Sequence, residues 1–192
     1  EVIGTKTVTD AYGVSKVVDL LDAEMLLTLP SNKVDAVVEM IRGGDVEPGT
    51  VFQFVSSKLL YLVRDELVRL KIIKNPGEFG IVAGDVSEAR RALAIEGFQQ
   101  GKIPWFAFTA AAGGAGITLT RANTMVAVQR PYSPILYTQA EARVHRAGSE
   151  VHESVNIIDL VSEDTIELDQ LELLANNADL REMILQDHKR LE

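Results

Sequence analysis

The chain has no cysteine among its 192 residues, which excludes a disulfide framework and any thiolate-held metal site and points to an intracellular setting. No apolar run approaches the roughly 20 residues of a membrane span, and the acidic first 30 residues lack a signal-peptide pattern. No internal repeat is evident. A phosphate-binding P-loop is missing as well: Gly4-Thr5-Lys6-Thr7 is the nearest string, and it lacks the upstream glycine and the strand that such a loop requires. His152 and His188 have no ligand partners at useful spacing and His145 reads as a hydrogen-bonded structural residue, so no metal site is expected. What remains is ordinary globular composition, 46% hydrophobic, 24% charged and 6% aromatic, enough for one full core and at most two small ones.

The net charge of −9 hides a strong asymmetry. Residues 1–49 carry −5 and residues 150–192 carry −9, whereas residues 50–149 carry +5. A uniformly acidic protein repels nucleic acid, but a cationic middle can still meet phosphates locally. Charge alone fits acidic tail helices that are simply solvated faces.

Apolar runs rich in β-branched and aromatic residues occur at residues 50–56, 79–83, 104–110, 124–129 and 154–161. They are short and nearly continuous, as strands buried on both faces are. Between them the spacing predicts helices over 32–42, with Ser31 as cap and Gly43-Gly44 as stop, over 57–70, with Leu59, Leu60, Val63, Leu67 and Leu70 on one face, and over 86–100, ending before Gly101. Alternating strand and helix implies right-handed crossovers and a three-layer α/β fold with a mainly parallel sheet. In such sheets the working residues gather at the carboxyl ends of the strands. Two further helices are expected at 165–174 and 178–191.

Two segments stand out chemically. Thr109-Ala110-Ala111-Ala112-Gly113-Gly114-Ala115-Gly116-Ile117-Thr118-Leu119-Thr120-Arg121-Ala122 follows a strand, so its amides either face an anion or only turn a tight corner; the third glycine of a dinucleotide fingerprint is absent. Gln139-Ala140-Glu141-Ala142-Arg143-Val144-His145-Arg146-Ala147-Gly148, read as a helix, puts Gln139, Arg143 and Arg146 on one face. Two guanidiniums and an amide suit a phosphoryl group; a surface helix whose arginines pair with acids such as Glu141 is the alternative.

Together, in this order and separation, the two segments resemble motifs V and VI of superfamily-two helicases, and most closely those of the Swi/Snf-type ATPases. Thr109, Ala112, Gly113, Gly114, Gly116, Leu119, Thr120 and Ala122 match the first, and Gln139, Ala140, Arg143, His145, Arg146 and Gly148 the second. The strand ending at Ser56 resembles motif IV, and Thr165-Ile166-Glu167 resembles the family's closing segment. The resemblance covers roughly residues 30–170. Ala142 replaces an aspartate of the pattern, Ser149 a glutamine, Ser56 the glutamine of motif IV, and Pro131-Tyr132-Ser133-Pro134 a tryptophan-rich segment.

The resemblance implies one half of a machine, a C-terminal RecA-like lobe at residues 30–162. Residues 1–29 would be an extension or linker from a first lobe and residues 163–192 a helical tail, with both extensions helical. The intact motor would bind ATP and Mg2+ mainly through the N-terminal RecA-like lobe of the same polypeptide, so this chain alone would not turn over ATP. The resemblance assigns Arg143 and Arg146 to catalysis, and Gln139, Gly114 and Gly116 to the nucleotide. It assigns Ser56, Thr109, Gly113 and Thr120 to the backbone of double-stranded DNA or another nucleic acid. It implies no membrane, and residence in a nucleus or in the cytoplasm or nucleoid of a bacterial or virus-infected cell. The alternative function is a degenerate lobe kept as a non-catalytic nucleic-acid or protein-binding module.

Overall fold

The computed structural model describes residues 2–9, 15–21, 31–112, 117–145, 152, 154–163, 165, 167–168 and 171. Residues 1–31 and 32–192 form two compact units. In the first, β1 (Val2–Thr9) and β2 (Ser15–Leu21) pair antiparallel, Thr5 opposite Asp19. The N-terminal extension was expected to be helical; its described residues form an antiparallel strand pair instead. Its valines, isoleucine and threonines are β-branched residues, which lose side-chain freedom in a helix and fit a pleated strand.

In the second unit, five strands form one sheet in the order β4-β5-β3-β6-β7: β3 (Val51–Phe54), β4 (Phe79–Val82), β5 (Trp105–Thr109), β6 (Thr124–Ala127) and β7 (Asn156–Asp159). All their pairings are parallel, as the alternation of strand and helix requires. Each strand is shorter than its apolar run, because the run's ends belong to the turns.

Alternate side chains on a strand face opposite ways, and the core divides accordingly. Phe52, Phe54, Ala107 and Val126 lie on one side with α1 (Asn32–Gly43) and α2 (Ser57–Arg69), which contribute Val34, Val37, Leu60, Val63 and Leu67. Val51, Phe106, Phe108 and Met125 lie on the other with α3 (Glu88–Gln99) and α4 (Pro134–Val144), through Phe98, Ala140 and Val144. The result is the expected three-layer RecA-like lobe. Gly101, at φ 74°, ends α3 where the sequence put the stop: its amide and that of Lys102 donate to Phe98 and Gly97 carbonyls at 3.0 and 2.9 Å, a left-handed turn that glycine adopts without strain.

The tail helices expected within residues 163–192 lie almost wholly outside the described residues. The described part of that segment closes the lobe. Glu167 pairs with Lys33 of α1 at 2.7 Å and accepts the Ser162 amide at 2.8 Å, while Lys33 also donates to the Leu160 carbonyl. Burial raises the Glu167 pKa, but the hydrogen bonds from Lys33 and Ser162 outweigh it and hold the group below its ordinary value. A carboxyl with a depressed folded pKa contributes stability above its unfolded pKa of about 4.5, and loses it as pH falls through the folded value. Glu167→Gln is therefore expected to cost about 0.5–1 kcal/mol at pH 7, as a partly exposed pair does. Urea melts of both forms at pH 7 and pH 3 should show that gap closing at the lower pH.

Candidate functional site

Parallel pairing places the carboxyl ends of β5, β3 and β6 side by side, with Thr109 opposite Phe54 and Gln53 opposite Ala127. Ser56 leaves β3 at this edge and caps α2: its hydroxyl accepts the Leu59 amide at 3.4 Å. Gln129, just past β6, reaches back to accept the Val55 and Ser56 amides at 3.2 and 2.9 Å. Thr109 is buried, and the Ala110 amide beyond it donates to the Phe54 carbonyl at 2.8 Å. Ser56 and Thr109, both expected at a nucleic-acid backbone, thus come from neighbouring strands at one edge.

Thr120 does not join them. The chain that leaves β5 crosses the sheet to enter β6 from its amino end, and Thr120 lies near that entry. There its hydroxyl accepts Gln99 Nε2 at 3.1 Å, and Gln99 Oε1 accepts the Arg121 amide at 3.1 Å. Arg121 stacks on the Phe98 ring, 5.1 Å from its centroid, and donates to the Phe98 and Ile103 carbonyls. His152 Nε2 lies 3.2 and 3.1 Å from the Thr120 and Arg121 carbonyls. These contacts join α3 to the entry of β6. Gly113, Gly114 and Gly116 lie outside the described residues.

Ser133 caps α4, its hydroxyl accepting the Leu136 amide at 3.4 Å, and Pro134 fills the first turn, where a missing N–H costs nothing. That accounts for the Pro131-Tyr132-Ser133-Pro134 string locally. Gln139 is exposed and Arg143 half-buried, four residues apart on one side of the helix. The Arg143 carbonyl accepts the Leu119 amide at 3.0 Å, so the end of α4 is bonded to the segment that follows the glycine-rich turn. The two chemical strings of the sequence meet here. The helix ends at Val144, and His145 is already non-helical at ψ 85°; the spacing argument for Arg146 stops there, and Arg146 lies outside the described residues.

The opposite side of α4 holds a polar cluster that the sequence did not reveal. Arg130, just past β6, pairs with Asp159 at the end of β7 at 2.6 Å and lies 3.8 Å from the centroid of the Tyr137 ring. The Tyr137 hydroxyl is 3.1 Å from both Asp159 oxygens. Burial first, then the Asp159 charge, pushes the Tyr137 pKa well above its ordinary value, so the phenol stays protonated. Burial likewise raises Glu141, one turn along, against the opposing field of Arg130. The only prior signal was a lone Arg130 and a lone Asp159, 29 residues apart.

Gln99→Leu is expected to leave the Thr120 hydroxyl and the Arg121 amide without their shared partner and to lower stability by about 1–2 kcal/mol. A shift in the urea midpoint with unchanged slope checks it.

A family model described as the helicase conserved C-terminal domain matches residues 32–148, more than half of the chain. The mouse protein "Chromodomain-helicase-DNA-binding protein 1-like" is 35% identical over 105 residues, 55% of this chain and 11% of its own. The Saccharomyces cerevisiae protein "ATP-dependent helicase FUN30" is 36% identical over 100 residues, 52% of this chain and 9% of its own. The chain therefore spans about a tenth of the length of these curated relatives. The crystal structure of the C-terminal part of the Fun30 ATPase domain superposes with a TM-score of 0.62 at 27% identity, covering 80% of this chain and 47% of that one. Fold, motif strings and family match agree: the chain belongs to the helicase conserved C-terminal domain family, as a C-terminal RecA-like lobe of the Swi/Snf type.

Proposed function

We propose that this chain is the second motor lobe of an ATP-dependent DNA helicase or translocase, with residues 30–162 as the working lobe, residues 1–29 as the link from a first lobe and residues 163–192 as a tail. The observation that carries the reading is the Leu119–Arg143 backbone bond. It fastens the arginine-bearing end of α4 to the segment whose other end starts at Thr109, so one continuous stretch runs between that helix and the carboxyl edge of the sheet.

The donor set on the outer side of α4, the Gln139 amide and the Arg143 guanidinium, fits the oxygens of a nucleotide polyphosphate, and Glu141 of the same helix faces the other way. Metal and ATP would be held mainly by the first lobe, with Arg143, Arg146, Gln139, Gly114 and Gly116 approaching the phosphates from this one. Phosphoryl transfer depends on positioning and on stabilising charge at the transferring group. An arginine that reaches that group only when two lobes close ties hydrolysis to closure, and closure to movement. Ser56, Thr109, Gly113 and Thr120 would contact the nucleic-acid backbone, with Thr120 acting from its separate position near the entry of β6. The family names and the absence of cysteine support residence inside the cell, in a nucleus or on a nucleoid.

The experiment is a DNA-stimulated ATPase assay on the full-length polypeptide that carries this chain. Arg143→Ala and Arg146→Ala should each lower turnover by about 10³-fold or more while ATP binding persists, and Arg146→Lys should recover little, since a point charge lacks the planar fork. Near-normal turnover in both alanine variants would overturn the assignment. This chain alone should bind DNA without sequence preference, with affinity falling steeply with salt, by about 0.9 in log–log slope per phosphate neutralised. Fluorescence anisotropy against salt checks it, and salt-insensitive, sequence-specific binding would contradict it.

A further inference from the structure

The roll of α4 about its own axis is set from one side, and the side chains assigned to phosphate leave from the other. Successive helical residues turn by about 100°. Tyr137 and Glu141 therefore share one side of α4, and Gln139 and Arg143 lie roughly 200–240° around from Tyr137. The Tyr137 side is the clamped one. Its ring is buried at 7% exposure, lies against the Arg130 guanidinium at 3.8 Å, and its hydroxyl reaches both oxygens of Asp159 at 3.1 Å. Asp159 is fixed in turn by Arg130 at 2.6 Å and by the parallel register that sets it opposite Ala127.

We propose that Arg130, Tyr137 and Asp159 are positioning residues for Arg143: the ion pair spanning the ends of β6 and β7 holds the tyrosine, the tyrosine fixes the roll of α4, and the roll sets where the Arg143 guanidinium is presented. The Leu119–Arg143 bond fixes the height of the helix end, and the buried Ala140 and Val144 seat the Tyr137 side of α4 on the core with short side chains, which leaves the directional hold on its roll to the longer Tyr137. A guanidinium about 6 Å from the axis moves about 2 Å for a 20° roll. Misplacement of about 1 Å at a reacting centre costs on the order of 10² in rate. A half-buried ion pair adds little net stability compared with an apolar contact of similar volume, so its directional geometry is the better account of its place here. The departures from the family pattern fall around the same helix: Pro131-Tyr132-Ser133-Pro134 follows Arg130, and Ala142, where the pattern has aspartate, adjoins Arg143.

This inference rests on the reading of Arg143 as a phosphate ligand, and the test separates the two. In the full-length polypeptide, Asp159→Asn and Tyr137→Phe should each lower kcat of DNA-stimulated ATP hydrolysis about tenfold, with KM for ATP changed less than twofold and the thermal transition in place. In an Arg143→Ala background, Asp159→Asn should lower kcat no further than twofold, because the clamp acts through that arginine. In this chain alone, the Arg143 Nε–Hε resonance should shift on Asp159→Asn, a readout independent of any activity. Loss of turnover in Arg143→Ala together with normal kcat in Asp159→Asn would overturn the clamp alone, as would additive losses or an unmoved Arg143 resonance. Full turnover in Arg143→Ala would overturn the phosphate reading and the clamp with it.

Discussion

A parallel strand cannot be joined to its neighbour by a tight turn, and the architecture of the five-stranded lobe follows from that constraint. Every connection must cross the sheet, α2, α3 and α4 carry crossings on its two faces, and loops after consecutive strands collect at one edge. Ser56, Thr109 and Gln129 meet because β3, β5 and β6 end together, not because they are near in sequence. The same constraint separates Thr120 from them, since the connection after β5 must travel back to the other end of the sheet before β6 begins.

Polar side chains hold the crossings in place. Gln129 grips the turn after β3, Gln99 and Arg121 seat the entry of β6, and Lys33 with Glu167 ties the end of the described chain to α1. Each links segments far apart in sequence, and several satisfy backbone groups that would otherwise be stranded at the ends of helices or strands. Arg130, Tyr137 and Asp159 belong to this class, but they grip the helix that carries Arg143. Glu167 has a structural duty of the same sort.

The strands and helices of the lobe were legible because buried parallel strands leave continuous β-branched runs and surface helices leave a 3.6-residue period. Both signals are local. The ends were less legible: Val55 and Ser56 read as strand but form the turn and the cap of α2, and Val128 and Gln129 read as strand but lie past β6. The N-terminal extension departs from the helical expectation because its β-branched residues favour paired strands. Of the site, the two motif strings were visible, but their meeting at Leu119 and Arg143 was not, and neither was the Arg130–Asp159 pair. A contact between residues 29 apart exists only once the register of β6 against β7 is set, and nothing local encodes that register.

The central claim is that Arg143 acts on charge that develops at a phosphoryl group held across a cleft. Equilibrium binding of ADP with magnesium and aluminium fluoride, a mimic of the transferring phosphoryl group, tests it most directly when compared with ADP alone in the DNA-bound full-length polypeptide. The account predicts that Arg143→Ala weakens the mimic by about 10²-fold or more and leaves ADP affinity nearly unchanged, because an interaction made only in the transition state favours its analogue. Equal affinities for the mimic in the variant and the parent would contradict it.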